Sequence, residues 1–429
     1  MFLPSLISLL ATIWVFPHIL RIAKSKNITD APGERKLQSA PVPVMGGIAV
    51  AFGTLVGMLL FSALASPANQ LIDLSANHLI DLSSNHFIDS SLFISLLPIT
   101  LASFIMMYVG SIDDIFGLSP RLRLFIETFV ILCLIYGTGM CVDSFHGLFG
   151  IRTFSWWYAV PLTVFGGVGI INAYNMIDGV NGLSSGLCIL SSFVMGSILF
   201  HRQDIPDATL AFCFGASLIP FLMHNVFGMK SKMFIGDGGT MVMGILITWF
   251  TIRLLSSQNV SPQFPHQPSC LHIHEPHLCQ VAMLLSIASV PIFDTLRVMA
   301  GRILRHQSPF HPDKTHLHHT FLSAGFSHSI TALSEIIINS LIIMFWHLTF
   351  RLGLSMELQF ILTILISVIL VWGTYSFLRY QQHQTHTFQR IAHFSIKTHL
   401  GHKHWWLALQ NWLDRRCTPP TQSTNQLTD

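Results

Sequence analysis

The chain has 429 residues, of which 51% are hydrophobic and only 10% are charged. Soluble globular domains carry about 25% charged residues, so this composition excludes an ordinary soluble protein and indicates an integral membrane protein. The formal net charge of +3 is too small to argue for nucleic-acid binding. The seven cysteines lie mostly in apolar stretches and do not form the pattern of a disulfide scaffold.

Apolar runs of about 20 residues, long enough to cross a bilayer as a helix, recur along the chain. We predict an all-α polytopic membrane protein with about eleven transmembrane helices. A single catalytic domain is expected over residues 1–380, followed by a tail over 381–429. The run at 122–141 is the weakest candidate because it begins with charged residues. The predicted spans are 2–20, 44–65, 92–110, 122–141, 157–175, 183–201, 208–228, 237–256, 279–299, 329–350 and 354–377.

The distribution of Lys and Arg predicts the orientation, because these residues accumulate in cytoplasmic loops. On one predicted side lie only four of the 23, namely Arg152, Arg202, Arg253 and Arg351, and the other nineteen lie opposite. We therefore predict that the N-terminus is outside and the C-terminus is cytoplasmic. The first apolar run has no basic stretch before it and no small-residue cleavage site, so we expect a retained helix rather than a signal peptide.

Three segments outside the predicted spans are unlike ordinary loops. An external loop repeats LIDLSANH and LIDLSSNH within 71–90, which we interpret as a local duplication. A second external loop, CLHIHEPHLC at 270–279, is interpreted as a disulfide or incidental loop, with a metal site as the alternative. The tail over 381–429 combines aromatic and basic residues, which is typical of an interfacial helix. A weakly ordered tail explains its composition equally well, and its last dozen residues look disordered.

The first polar island lies between the first two predicted spans. It reads DAPGERKLQSAPVPVMGG, residues 30–47, and its prolines stiffen the loop while its glycine pair permits a close backbone approach. Arg35 and Lys36 could hold phosphate oxygens. As plain positive-inside anchors they would need no function, and this loop alone does not decide between the two interpretations.

A second island, GSIDDIFGLSPRLR at 110–123, follows the third predicted span. Asp113 and Asp114 then lie at the membrane boundary, where neighbouring carboxylates repel and charge is costly. We expect the pair to bind a cation or to accept a proton, with a solvated helix end as the alternative. Arg121 could neutralise either the acids or a bound phosphate.

A third island, NAYNMIDGVNGLSSG, begins at the end of the fifth predicted span. Its amides and acid recur every three residues, so they would share a slowly drifting helix face, and the glycines suggest that the helix breaks there. Such a break in a membrane is tolerated only where a polar cavity exists. We therefore favour a functional role for Asn172, Asn175, Asp178 and Asn181.

The fourth island, KSKMFIGDGGTMVMG, opens the eighth predicted span. Asp237 is flanked by glycines where the N–H groups of a helix N-terminus would face a phosphate. A hard cation such as Mg²⁺ prefers carboxylate, amide and phosphate oxygens. An aspartate that merely caps the helix is the ordinary alternative.

The last island, SPFHPDKTHLHH at 308–319, follows the ninth predicted span and gathers acids, bases and cations. A zinc site is an alternative, but the histidines lack a clear fourth ligand. Imidazoles that donate hydrogen bonds to phosphates fit the neighbouring arginines better. The residues concerned are Asp294, Arg297, Arg302, Arg305, His316, His318 and His319.

These islands, in this order, resemble the polyprenyl-phosphate N-acetylhexosamine-1-phosphate transferases, known as glycosyltransferase family 4. The resemblance extends from about Asp30 to His319 and rests on DAPGERK with PVPVMGG, GSIDD, NAYNMIDGVNGL, FIGDGGT and SPFHPDKTHLHH. It implies a phosphotransfer in which a lipid-carrier phosphate attacks the β-phosphorus of a UDP-sugar. The products would be a sugar-diphospho-lipid and UMP.

The resemblance also implies roles for individual residues. Asp113 and Asp114 would be the catalytic acids. Asn175 and Asp237 would bind Mg²⁺, with Mn²⁺ as the alternative ion. Asp178 and Asn181 would line the nucleotide site, and His316, His318 and His319 would bind the sugar-nucleotide. Apart from the resemblance, the positive charges of Lys36, Arg121 and Arg302 make them further candidate substrate-binding residues.

The HLHH spelling after SPF resembles the GlcNAc-1-phosphate branch more than the phospho-MurNAc-pentapeptide branch, which has three consecutive histidines. We therefore expect a UDP-GlcNAc:undecaprenyl-phosphate GlcNAc-1-phosphate transferase that starts a surface polysaccharide such as the O antigen of lipopolysaccharide. Asn181 replaces the aspartate of many members, which leaves the uridine contacts open. The expected location is the bacterial inner membrane with the site facing the cytoplasm, and the oligomeric state, a homodimer included, is left open.

Several alternatives compete with this interpretation. The same chemistry could use another UDP-N-acetylhexosamine or phospho-MurNAc-pentapeptide. A transporter also has broken polar helices, but its binding site lies near the membrane midplane, whereas these islands lie at predicted helix ends. The spaced aspartates of phosphatidyl-alcohol transferases are absent, and His274-Glu275-Pro276-His277 is too short for the helical motif of a zinc protease.

Overall fold

The computed structural model describes residues 1–30, 41–65, 91–257, 277–309, 313–382, 401 and 403–417. The described residues are mostly helical. The helices up to the centre of the bundle are α1 (Phe2–Ser25), α2 (Gly46–Ala65), α3 (Ser91–Phe116), α4 (Pro120–Thr138), α5 (Trp156–Met176), α6 (Leu183–His201), α7 (Ile205–Phe227) and α8 (Gly236–Leu255). The remaining helices are α9 (Gln280–Ile287), α10 (Ser289–Leu304), α11 (Leu317–Ser323), α12 (His328–Arg351), α13 (Met356–Ser367), α14 (Gly373–Gln382) and α15 (His404–Cys417).

The apolar helices make this chain a multi-pass membrane protein. Within the described ranges, nine helical segments are long and apolar enough to cross a membrane, and α9 with α10 forms a broken tenth, bent by 78°. A π-helical turn, Val368–Trp372, joins α13 and α14 into one of the nine. The predicted all-α polytopic fold is confirmed. Helix α4, the weakest predicted span, is not among the ten, so the count of eleven and the orientation of the termini stay predictions.

Helix α8 is the centre of the bundle. Over an apolar stretch of 18 residues in α8, 89% of the residues are buried. Such burial is expected of a helix that is apolar on all sides. It packs against α3, α5 and α2. Since Asp237 is the second residue of α8, the most buried candidate span among the described residues begins beside one of the predicted metal ligands.

Glycines let the backbones of α3 and α8 approach unusually closely. A Cβ atom on Gly110 would lie 2.4 Å from both Cα and N of Gly238. On the other side of α8, a Cβ on Gly244 would lie 2.4 Å from Cα of Ile171 in α5. Small residues at such crossings are what allows tight helix packing in membranes. The packing brings together the ends of α3, α5 and α8, where three polar islands lie.

A small antiparallel pairing fixes the segment that leads into α8. Strands β1 (Thr29–Asp30) and β2 (Val42–Pro43) pair with Thr29 opposite Pro43. The amide of Phe234 donates to the carbonyl of Pro43 at 2.9 Å, and the Phe234 carbonyl accepts from Gly46 N at 2.9 Å. The first polar island therefore touches the chain three residues before Asp237.

The break between α9 and α10 is stabilised from α12. Asn339 Oδ1 accepts from Ser289 Oγ at 2.9 Å and from Val290 N at 3.0 Å, and its Nδ2 donates to the Ile287 carbonyl at 2.9 Å. Backbone groups freed by a break inside a membrane need partners of this kind. The bend directs α10, which carries Asp294, towards the predicted histidine site.

Some predictions fall outside the described residues. They are the role of Lys36, the octad repeat at 71–90 and most of the Cys/His loop at 270–279. Of the tail, the structure describes α15, whose buried face consists of Trp406, Leu413 and Cys417. Its interfacial position stays a prediction.

Candidate active site

Three carboxylates converge where α3 ends and α8 begins. The amide of Asp237 donates to Asp114 Oδ1 at 3.0 Å. Asp113 accepts from the amide of Leu118 at 2.6 Å, which holds its side chain at the turn after α3. The predicted pair of acids and the predicted metal ligand therefore belong to one cluster, although more than 120 positions separate them along the chain.

Asn175, at the end of α5, is the second predicted metal ligand and contacts the first. Its Nδ2 donates to Asp237 Oδ1 at 2.6 Å and to Thr240 Oγ1 at 2.8 Å. The spacing of polar residues predicted a shared helix face, and this face does turn towards α8. Asn172, one turn earlier, instead donates to the buried Glu127 of α4 at 2.5 Å.

Arg123 is the residue of this cluster that the sequence analysis did not assign. Its Nη1 lies 3.4 Å from Asp113 Oδ2 and 3.9 Å from Asp237 Oδ2, and its Nε donates to Glu127 Oε1 at 3.1 Å. Its Nη2 is buried without a hydrogen-bond partner among the described residues. Arg121, predicted for this role, is exposed at the start of α4.

The donor set of the cluster fits Mg²⁺. Across the described ranges, no three acidic, histidine or cysteine side chains enclose a point as a closed metal site would. An open site suits Mg²⁺, which binds one or two carboxylates and completes its coordination with water and substrate phosphates. Asp237, with the Asn175 carboxamide in contact with it, would supply the protein ligands.

The turn after α5 connects the acidic cluster to the histidines. Burial raises the pKa of Asp178 to about 8; the Ser184 hydroxyl that donates to it opposes the rise, and the charges of Asp237 and Asp114 add to it. A Cβ atom on the next residue, Gly179, would lie 2.5 Å from Nε2 of His318. The turn therefore leads from Asn175, which contacts Asp237, to Gly179, which lies against His318.

The three predicted histidines form one cluster. The rings of His316 and His318 are stacked with centroids 5.5 Å apart, and His319 lies 4.4 Å from His318. Burial lowers the pKa of His318 well below its usual range, and the neighbouring His319 and His316 lower it further. Burial and the proximity of His316 lower the pKa of His319 to about 4. Both pKa values lie below 7, so we expect both rings to be neutral at pH 7.

Asp294 anchors this cluster to α10. Its carboxylate contacts His316 Nδ1 at 2.8 Å and accepts from the Leu317 amide at 3.1 Å and from Arg297 Nη2 at 2.7 Å. Arg297 in turn donates to the Thr315 carbonyl at 2.6 Å. A buried carboxylate thus fixes both the histidine segment and the orientation of its first ring.

Arg302, predicted as a substrate ligand, is 2% exposed and bound to its own loop. Its Nη1 donates to the Pro309 carbonyl at 2.6 Å and its Nη2 to Asp313 at 2.9 Å. Burial alone would raise the pKa of Asp313, but hydrogen bonds from Arg302 and Thr315 outweigh it and hold that pKa at about 2. As placed, Arg302 shapes the loop before the histidines, and its contact with substrate stays a prediction.

Asn181 lies beyond the turn at Gly179, near the histidine segment. Its amide is 3.5 Å from Nδ1 of His328, the first residue of α12. The next amide, of Gly182, donates to Asn225 Oδ1 at 2.7 Å. The structure therefore places Asn181 near the predicted nucleotide side of the site, and its role stays a prediction.

Comparisons with known proteins show what the chain is similar to. The sequence profile described as glycosyl transferase family 4 matches residues 96–255, which include the acidic cluster and Asp178. The chain is 29% identical over 329 residues to a probable undecaprenyl-phosphate N-acetylglucosaminyl 1-phosphate transferase of Bacillus subtilis, covering 76% of this chain and 79% of that protein.

Two further relatives carry the name undecaprenyl-phosphate alpha-N-acetylglucosaminyl 1-phosphate transferase. The Yersinia pestis protein is 26% identical over 72% of this chain and 73% of its own length. The Escherichia coli K12 protein is 26% identical over 75% of this chain and 76% of its own length. The chain is therefore similar to glycosyl transferase family 4 over residues 96–255, and to these transferases over about three quarters of its length.

Proposed function

We propose that this protein transfers GlcNAc-1-phosphate from UDP-GlcNAc to a polyprenyl phosphate, undecaprenyl phosphate in bacteria, and releases UMP. The observation that carries the proposal is the meeting of the Asp113, Asp114 and Asp237 cluster with the histidine cluster across the turn at Asp178. The names of the relatives support the substrate choice. The product would start the synthesis of a lipid-linked surface polysaccharide.

In the proposed reaction an oxygen of the lipid phosphate attacks the β-phosphorus of UDP-GlcNAc. The new bond joins that oxygen to the β-phosphorus, and the bond from the β-phosphorus to the UMP oxygen breaks. Phosphoryl transfer requires charge neutralisation and in-line positioning more than covalent help from the protein. Mg²⁺ would be held by Asp237 and Asn175 and would neutralise charge on the diphosphate when bound.

The residues of the acidic cluster would have separate roles in the reaction. Asp113 and Asp114 would orient the lipid phosphate and accept its proton where it carries one. Arg123 has a buried Nη2 with no partner among the described residues, and it would donate to a phosphate oxygen there. Its other nitrogens are held by Asp113 and Glu127, so the guanidinium is positioned before substrate binds.

The histidine cluster would bind the sugar-nucleotide. A neutral imidazole donates one hydrogen bond and accepts another, so His318 and His319 can recognise phosphate or sugar oxygens without carrying a charge. The contact of Asp294 with His316 fixes the orientation of that ring. His318 Nδ1 is buried without a partner among the described residues, which leaves it a donor or acceptor for substrate or water.

Replacing Gly179 by alanine is expected to raise KM for UDP-GlcNAc about tenfold, with a smaller effect on kcat. The added methyl would lie 2.5 Å from Nε2 of His318, and that ring is buried and cannot move aside freely. Gly137→Ala, in α4, is the control because its Cβ would meet no described atom within 4 Å beyond its own stretch of helix. An unchanged KM in Gly179→Ala would contradict the placement of the sugar-nucleotide beside His318.

We further propose that the site faces the cytoplasm of a bacterial inner membrane. The clustered residues lie at the helix ends where the Lys- and Arg-rich segments also lie, and such segments stay cytoplasmic. Their position at helix ends, rather than near the middle of the spans, favours the transferase over a transporter.

The proposal is tested with purified protein, polyprenyl phosphate, Mg²⁺ and UDP-GlcNAc labelled in the sugar. We expect lipid-linked label and an equal amount of UMP, loss of both in EDTA, and recovery on adding Mg²⁺. Other UDP-N-acetylhexosamines and UDP-MurNAc-pentapeptide are run in parallel to identify the preferred donor. Label that stays water-soluble with every donor would refute the proposed transfer.

A further inference from the structure

The tail helix α15 packs near the turn that precedes α8. Its buried face, formed by Trp406, Leu413 and Cys417, packs against α7 and α1. Trp406 contacts Phe227 at the end of α7, with ring centroids 4.5 Å apart. The opposite face of α15 is exposed, so the helix lies on the end of the bundle rather than inside it.

Asp414, on the docked side of α15, binds the turn that follows α7. Its carboxylate accepts from the amides of Met229 at 3.2 Å, Lys230 at 3.1 Å and Ser231 at 2.8 Å, and from Ser231 Oγ at 2.8 Å. Hydrogen bonds from several amides to an ionised carboxylate are strong and directional. These amides follow the end of a helix, where the chain has no regular partners of its own.

The turn that Asp414 binds leads directly to the acidic cluster. After Ser231 the chain passes Met233, whose carbonyl accepts from Asn225 Nδ2 at 2.9 Å, and Phe234, which pairs with Pro43 and Gly46. Asp237 follows three residues later. The segment 229–236 is therefore held at its start by the tail and at its end by β2 and α2.

We propose that Asp414 is a positioning residue that fixes the segment 229–236 and thereby sets where Asp237 lies relative to Asp114 and Asn175. The inference rests on the proposed function for its activity readout. The hydrogen bonds given above join the carboxylate to the turn at 229–231. It acts through the turn, so its loss should change turnover more than donor binding.

The first test is hydrogen exchange on the full-length protein. In Asp414→Ala, the amides of residues 229–231 lose their acceptor, and we expect their exchange to accelerate at least about tenfold, since local opening governs exchange at such sites. Exchange in α5 and α12 should stay unchanged. Equal exchange at 229–231 in wild type and variant would overturn the proposal.

The second test is kinetic. We expect Asp414→Ala to lower kcat about tenfold, because small misplacements of catalytic groups are costly, while KM for UDP-GlcNAc changes less than twofold. The Mg²⁺ concentration for half-maximal rate should rise, and Asp414→Asn, which keeps one acceptor oxygen, should recover part of kcat. A kcat equal to wild type would overturn the proposal, as would a loss explained by a smaller folded fraction at the assay temperature.

Glu357→Gln is the matched control. Glu357 also accepts a backbone amide, that of Phe149 at 3.3 Å, but it does so at the opposite end of the bundle. Exchange at 229–231 and kcat should both match wild type in this variant. If the wild-type protein transfers no sugar phosphate, the proposed function fails, whereas the exchange comparison still decides whether Asp414 holds the turn.

Discussion

Asp237→Asn is expected to lower kcat by about a hundred- to a thousandfold in protein that remains folded. Asparagine preserves the size of the side chain and one oxygen that can accept from Asn175, so packing at the start of α8 should survive. It removes the negative charge through which this residue would bind Mg²⁺. In a site where charge neutralisation supplies most of the rate, that loss outweighs any change in donor affinity.

The measurement combines initial rates across a Mg²⁺ titration with a thermal unfolding curve in the same detergent. Asp143→Asn is the control, because Asp143 also accepts two hydrogen bonds, from Ser257 N and Oγ at 2.6 Å each, but lies far from the cluster. It should retain activity even if it loses some stability. Near-normal turnover in Asp237→Asn at low Mg²⁺ would refute the metal role.

Gly110→Ala is expected to reduce both stability and turnover. The added methyl would lie 2.4 Å from Cα and N of Gly238 and 2.5 Å from the Asp237 carbonyl carbon, all backbone atoms that cannot rotate away. Helices α3 and α8 must therefore separate. Overpacking of this kind costs about 1–3 kcal/mol, and a displacement of about 1 Å between Asp114 and Asp237 would cost roughly a hundredfold in kcat.

The check is a comparison with Gly166→Ala in α5, where the added Cβ would meet no described atom within 4 Å beyond its own stretch of helix. That variant should unfold at the same temperature as wild type or slightly higher, because alanine favours helix, and should keep its activity. Rates are measured well below the unfolding temperature of every variant. Full activity in Gly110→Ala would show that the spacing of α3 and α8 does not set the geometry of the cluster.

Much of the fold followed from local properties of the chain. Apolar length predicted the spans, and all eleven predicted segments contain helix. The polar islands predicted which residues would meet, and Asp114, Asn175 and Asp237 do lie in one cluster. The break between α9 and α10 was not predicted, although Pro291 was a usable signal, because it has no N–H to donate to the Ile287 carbonyl four residues earlier. Asn339, the partner that satisfies this carbonyl, comes from α12 and is set by the tertiary structure.

The clearest omission was Arg123. It follows Arg121 by two residues, and its spacing of four to Glu127 was a usable signal for a helical ion pair. The arginine nearer the acids in sequence was preferred, yet the structure exposes Arg121 and turns Arg123 inward. Arg302 is the opposite case. Its charge suggested that it binds phosphate, but the structure buries it and pairs it with Asp313.

The sequence by itself determined that the chain crosses a membrane repeatedly and which polar motifs it carries, since hydrophobic length and motif spelling are local. Tertiary structure alone decided which charge pairs with which: Arg123 between Asp113 and Asp237, Asp294 against His316, and Asp414 on the turn before α8. Those pairings depend on backbone distances between helices far apart in the chain. The close approach of Gly110 to Gly238 is one such distance, and no pattern within either segment specifies it.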